Sequence, residues 1–296
     1  LPVRAALAVA LAFVLLATGC ERRAQDAPPA AAPGATLVAT AGYGSQTLLD
    51  TRVAPGRSVM RALRGATTVR TQYGGGFVRE MLGHSSETEG PSDWFFFVDG
   101  IGSSVGAKDV RLGDGDAVWW DHRDWGTLVL TPAVVGQWPA PLAHPDGDGP
   151  PVAADPPLRA ALAAAGARIV PGDSPWRARV GTSAGLARRD PAWRRALADP
   201  DGAGLTVAVE DGVITALGPD GAPRAPVRGA RALVAAVPTG AQPEDGVLVA
   251  VVGLDEEAAR AAARTVAASP EVLRLRYAVA FDGAGTPLRA GGRATP

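Results

Sequence analysis

The sequence predicts an α+β protein in three parts: an N-terminal leader and tether, a strand-rich first domain, and a second, smaller α/β domain. Three observations predict this. One apolar run stands at the start, short turn-bounded strands dominate residues 36–132, and helical and strand patterns alternate over residues 156–289. A length of 296 residues fits two folded units plus non-globular chain. The formal net charge of -1 excludes the basic surplus a nucleic-acid binder uses to meet phosphates. One Cys and two Met exclude a disulfide scaffold, a cysteine zinc site and an iron–sulfur protein. Lys108, the only lysine, lies in Ala107-Lys108-Asp109, so no Walker-type phosphate loop exists.

The leader comes first. Arg4 precedes the thirteen-residue run Ala5–Ala17, too short to cross a ~30 Å hydrocarbon core but suited to the h-region of a secretory signal. Leu16-Ala17-Thr18-Gly19-Cys20 resembles a bacterial lipobox, which implies residues 1–20 as signal peptide, acylation at Cys20, and Cys20 as the new N-terminus. Residues 21–35 are rich in Ala and Pro, cannot bury enough surface to fold, and read as an extended tether. The expected location is the extracytoplasmic face of a cell membrane, held by lipid.

The first domain, 36–132, opens with short strands at Thr36–Thr40 and Thr47–Asp50 around Gly42-Tyr43-Gly44-Ser45. Ser58–Leu63 has helical spacing, with Ser58 placed to cap it. Thr67–Gln72 is β-branched and extended, Gly74-Gly75-Gly76 breaks it, and Phe77–Leu82 is ambiguous. Asp93–Asp99 is a strong strand closed by an Asp99-Gly100 turn. Asp114-Gly115-Asp116 is a further turn signal before the strand Ala117–Trp125. A strand meander with one short helix is an α+β pattern of the β-grasp kind.

These residues carry a family resemblance. The run Trp94-Phe95-Phe96-Phe97-Val98-Asp99-Gly100, the pair Gly106-Ala107, and Leu112-Gly113-Asp114-Gly115-Asp116-Ala117-Val118-Trp119-Trp120 together resemble the C-terminal domain of transcobalamin and intrinsic factor. The resemblance covers about a third of the chain. It implies a β-grasp-like module that covers one face of a bound corrinoid, here as a lipoprotein serving an uptake transporter. The large helical domain of the animal proteins has no counterpart here, so the ligand's identity does not transfer with the resemblance.

Residues 133–155 read as a Pro/Gly-rich linker. In the second domain, Leu158–Ala165 reads as a helix ended by Gly166, with strands at Ala167–Val170 and Ala178–Val180, and Pro191–Ala198 as a short helix with Pro at its start. Leu205–Glu210 and Val213–Leu217 flank Asp211-Gly212 as a hairpin. Gly246–Gly253, Asp255–Ala268 and Val272–Phe281 read as strand, helix, strand, with Asp255, Glu256 and Glu257 suiting the helix start. Residues 290–296 read as a disordered tail.

Strand alternation sorts the most chemical segment. Val118, Trp120 and His122 share one face; Trp119, Asp121, Arg123 and Trp125 share the other. Val118 and Trp120 suit a core. Trp119, Arg123 and Trp125, with Asp121, then form the candidate ligand surface: rings that stack and a guanidinium that donates to a flat ligand. The competing reading is that they pack against the second domain or against Trp138. His122 is a candidate metal or cobalt ligand or a histidine satisfied by backbone, and His84 and His144 receive no role. No metal site is predicted, because no His/Asp/Glu cluster has ligand spacing and Asp146-Gly147-Asp148-Gly149 lacks the other carboxylates of a calcium loop.

Gly181-Thr182-Ser183-Ala184-Gly185 fits the G-x-S-x-G pattern of hydrolases. All three histidines precede Ser183, against the order Ser, acid, His, so it reads as a small-residue turn. The expected function is capture of a cobalamin-like corrinoid without catalysis. The alternative is a module that contacts a partner protein or a cell-wall polymer.

Overall fold

The computed structural model describes residues 34–86, 92–126, 131–218 and 221–288. Cys20, the leader, most of the tether and the tail lie outside them. The described residues all fall in one compact unit. It is a mixed α+β structure, and among the described residues no helix is long and apolar enough to cross a membrane.

The first half comprises β1 (Ala35–Ala41), β2 (Gln46–Val53), α1 (Val59–Ala66), β3 (Val69–Gln72), β4 (Phe77–Met81), β5 (His84–Ser85), β6 (Ser92–Val98), β7 (Ile101–Gly102) and β8 (Ala117–Asp124). Five of these strands form one sheet in the order β2-β1-β8-β6-β7, while β3, β4 and β5 form a small sheet of their own. The central β8 runs parallel to β1 and antiparallel to β6. Helix α1 forms where the apolar spacing places it: the Ser58 side chain accepts from Arg61 N, and Val59, Met60, Ala62 and Leu63 are buried. They join Leu37, Val118 and Trp120 in one core. The ambiguous stretch at 77–82 is strand β4, held between β3 and β5.

The second half comprises β9 (Pro151–Ala154), α2 (Pro156–Ala164), β10 (Arg168–Ile169), β11 (Trp176–Thr182), α3 (Ser183–Arg189), α4 (Pro191–Ala198), β12 (Val207–Glu210), β13 (Val213–Leu217), β14 (Pro223–Pro226), β15 (Ala232–Pro238), β16 (Val247–Gly253), α5 (Glu256–Ala268), β17 (Ala278–Phe281) and β18 (Pro287–Leu288). A seven-stranded sheet runs β10-β9-β11-β16-β15-β17-β18. Its strands β15 and β16 are apolar throughout because both faces are covered. Leu158 and Leu162 of α2 and Ala258, Ala262 and Val266 of α5 pack on one face. Leu186, Trp193 and the hairpin residues Val207 and Ile214 pack on the other.

Local signals account for these elements. Asp255 accepts from Ala258 N at 2.8 Å and starts α5, with Glu256 and Glu257 in its first turn. A Cβ at Gly253 would stand 2.2 Å from Asp255 O and 2.6 Å from Ala259 N, so the strand-to-helix turn there needs glycine. Asp211 and Gly212 both adopt positive φ, as a two-residue hairpin turn requires.

Two expectations need correction. Residues 133–155 connect the two sheets but are packed rather than loose. Val134, Val135 and Leu142 are buried, and Pro151–Ala154 is a sheet strand, because alternating small apolar residues among the prolines supply core contacts. The strand expected over Val272–Phe281 begins only at Ala278. Pro270–Leu273 is a turn of 3-10 helix, and Leu275 has φ 54°, which breaks the extended run.

Candidate ligand-binding site

The register of β6 on β8 places Phe95 opposite Asp121 and Phe97 opposite Trp119, so the two strands share faces as alternation predicts. Val118 and Trp120 lie in the core beneath α1, as expected. The other face is not open. Trp119 and Asp121 are 0 % exposed and Arg123 1 %. Trp119 sits with Val38, Tyr43, Phe97 and Val134 against Leu275 and Tyr277 from the second half of the chain. Trp138 packs elsewhere, against the core of the second sheet. Two glycines let backbone close over the Trp119 indole: a Cβ at Gly44 would stand 3.1 Å from Cζ2, and one at Gly136 2.7 Å from Cζ3.

A polar network crosses this covered face. Trp119 Nε1 donates to Thr40 Oγ1 at 2.8 Å, and that hydroxyl donates to Asp121 Oδ1 at 2.6 Å. Tyr277 OH donates to Asp121 Oδ2 at 2.9 Å, and Gly44 N reaches Oδ1 at 3.2 Å. Burial pushes the Asp121 carboxyl up, opposed by the Thr40 and Tyr277 hydrogen bonds and the Arg123 charge. Burial and the Asp121 charge push the Tyr277 phenol well above its ordinary value. The expected ligand face is therefore an internal contact at Trp119 and Asp121. Trp125 is half-buried, its Nε1 donating to Asp93 Oδ2 at 3.2 Å.

Arg123 differs from its neighbours on this face, because it reaches a cavity. Its Cζ stacks 3.9 Å over the Phe95 ring. Beside it opens a cavity of about 350 Å³ along the outer edge of β6. Edge strand β6 meets only the two-residue β7 on that side, at Phe97 and Val98. Trp94, Phe95, Phe96 and Phe97 supply one wall, with Phe77 and Trp120; Ser103 to Gly106 and Thr131 supply another. Ala241 to Pro243 close it from the second half. Trp120 Nε1 and Thr131 Oγ1 in these walls are buried with no hydrogen-bond partner among the described residues. Strand alternation singles out Arg123 but carries no signal for the cavity, whose wall comes from residues far apart in sequence.

The fold also assembles a cluster that sequence spacing did not disclose. Ligand-type atoms of Asp99, Asp116 and His144 lie within 4.8 Å of one another. Within the cluster His144 Nε2 lies 3.1 Å from Asp116 Oδ1; its members are otherwise held by neighbours, His144 Nδ1 2.5 Å from Asp146 Oδ1 and Asp99 accepting from Ala117 N. Burial raises the Asp99 pKa to about 6 against the Ala117 hydrogen bond, with Asp116 adding to the rise. Burial lowers the His144 imidazole, but the hydrogen bond to Asp146, the Asp99 charge and the Asp116 bond outweigh it, leaving the pKa raised. His122 places Nε2 3.0 Å from Ser85 O, and its ring lies tilted against those of His84 and Trp94. Ser183 opens the short helix α3 and receives the Trp193 indole N–H at 3.2 Å.

Residues 56–123 match a domain of unknown function, DUF4430. No curated protein matches the chain. A solved structure of a candidate metal-binding protein from Ruminococcus gnavus ATCC 29149 is similar over 31 % of this chain and 96 % of that one, at 12 % identity and a TM-score of 0.27.

Proposed function

We propose that the chain is a lipid-anchored, extracytoplasmic ligand-binding protein that takes a small molecule into the cavity beside β6 and hands it to a membrane transporter. The cavity carries this reading: it is concave, aromatic-walled and placed where two halves of the chain meet, with few polar groups to orient a ligand. The anchor rests on Cys20 and the lipobox-like run before it. Binding without catalysis fits a Ser183 whose hydroxyl is engaged by Trp193 and lies at a helix start.

A corrinoid is the second reading. The match over 56–123 falls within the stretch that resembles the transcobalamin C-terminal domain, and the matched family is itself transcobalamin-like. The parallel pairing of β1 with β8 and the helix α1 beneath them are the basis for reading this sheet as β-grasp-like. A whole corrinoid is several times larger than the cavity, so only an edge of it enters.

The test is to purify the full chain from a native-type host and extract it for small molecules. A compound that accompanies the wild type and is lost in Ala241→Trp, which plugs the exposed rim, supports the cavity as the site. No compound in either protein, together with binding to isolated cell wall or a membrane protein, favours an interaction module instead. Equilibrium dialysis against cobalamin decides the corrinoid reading separately.

A further inference from the structure

Several arginines of the fold meet a carboxylate: Arg70 meets Glu80, Arg177 meets Asp190, Arg231 meets Asp255 and Arg274 meets Asp50. One surface pocket breaks that pattern. Arg57, Arg61, Lys108 and Arg111 line a pocket of about 380 Å³ whose single carboxylate is Asp109. All five residues are exposed. The pocket shares no lining residue with the cavity beside β6, so the two sites stand or fall separately.

The start of α1 gathers these charges. Arg57 and Arg61 flank its Ser58 cap. Met60 N donates to Ala107 O and Val59 N to Val110 O, which seats the turn carrying Lys108 on the first residues of the helix. Arg111 bridges to Ser58, and its Nη1 donates to Gly56 O at 3.0 Å, tying the guanidinium to the Gly56 turn. Among the described residues, the side chains of Arg57, Arg61 and Lys108 make no hydrogen bond or ion pair, and no ion pair joins Arg111 to Asp109.

Four cations with one carboxylate among them repel one another in the empty pocket, in a chain whose formal net charge is -1. Two of them also stand at the positive end of the α1 macrodipole. Helix α5 carries Glu256 and Glu257 in its first turn, whereas α1 has no acid there. An anion relieves both strains. The first amides of α1 are already engaged by Val110 O, Ala107 O and Ser58 Oγ, so the side-chain cations are what the pocket offers. Guanidinium forks and an ammonium match the oxygens of a multiply charged tetrahedral anion, whereas one carboxylate satisfies one fork and leaves the other cations unmatched.

We infer that this pocket binds the phosphate of a phosphomonoester, held by Arg57, Arg61, Lys108 and Arg111. Two sources present that group, a soluble phosphorylated compound or a lipid headgroup, and the same side chains serve either.

Inorganic phosphate, titrated calorimetrically into the purified full chain in low-salt, alkaline buffer, is expected to bind saturably and to raise the thermal midpoint. Arg61→Gln combined with Lys108→Gln should weaken it about tenfold or more, the scale of one charge-assisted hydrogen bond, and leave the ligand-free midpoint unchanged because both side chains are exposed. Arg264→Gln removes an exposed cation on α5 and should leave binding as it was. Vesicles of phosphatidylcholine with and without phosphatidic acid distinguish the sources. A preference for the phosphatidic acid vesicles that the double variant loses assigns a headgroup, and phosphate binding without that preference assigns a soluble compound. Neither saturable phosphate binding nor a vesicle preference overturns the inference. So does binding of either probe that the double variant retains, or that Arg264→Gln weakens equally, since attraction would then follow net charge alone.

Discussion

The two faces of the central strand β8 are built differently. Beneath α1, Val118 and Trp120 meet Leu37, Val59 and Leu63, a contact of carbon on carbon assembled from residues within one half of the chain. On the opposite face, Trp119 and Asp121 meet Tyr277 and Leu275, and every polar atom named there is tied into a hydrogen-bonded network. The apolar face needs only volume and tolerates rearrangement. The polar face needs partners at set distances, so it fixes how the second half sits on the first. A resemblance that covers only residues near 56–123 cannot disclose this, because the cover lies outside it.

Removing Trp119 gives the largest contrast. Trp119→Ala is expected to destabilise the chain by roughly 3–5 kcal/mol, measured by denaturant unfolding, because a fully buried indole is lost between two glycines that cannot fill the space. A cost under about 1 kcal/mol would mean the face is open in solution and restore the expected ligand surface. The next effect is smaller. Tyr277→Phe keeps the ring against Trp119 but removes the donor to Asp121 Oδ2, and should cost about 1–3 kcal/mol. Thr40→Val in the same background should be less than additive, since both donors serve one carboxylate.

Much of the fold was legible because its signals are local. Ser58 before an apolar helical spacing, Asp255 before α5, and Asp211-Gly212 between two alternating runs each specify an element from a handful of neighbours. Alternation also sorted Trp119 from Trp120 correctly. It could not say what covers Trp119, because the cover depends on Leu275 and Tyr277, more than 150 residues away. The same limit hid the Asp99–Asp116–His144 cluster, which has no ligand spacing in sequence, and the cavity, whose walls come from Phe77, β6, Thr131 and Ala241. Residues 133–155 misled through composition: their prolines and glycines signal turns, yet Val134, Val135 and Leu142 among them are buried.

The cover's polar character continues to the end of the strands, and there it should respond to pH. Gln137 bridges Gly100 N and Ala117 O, while His144 from the same segment reaches Asp116 beside Asp99. The Asp99 pKa is raised to about 6 from an ordinary 3.8, chiefly by burial, so the folded state holds its proton more tightly than the unfolded chain. Its contribution to stability is thus fully present below pH 3.8 and is lost as the pH rises through about 6. The loss should amount to about 1–2 kcal/mol for a group partly open to water. His144, also raised, acts in the same direction but at higher pH, its contribution fading as the pH climbs past 6.5 through its folded value. Asp146, lowered and exposed, acts in the opposite sense and only as the pH falls. Asp99→Asn keeps an acceptor for Ala117 N and removes the titration. Unfolding curves of the two proteins should therefore run together near pH 4 and separate between pH 4 and 6, with the variant the more stable at pH 7. Parallel curves across that range would mean that Asp99 is solvated like a surface carboxylate and that the connecting segment does not close over the strand ends.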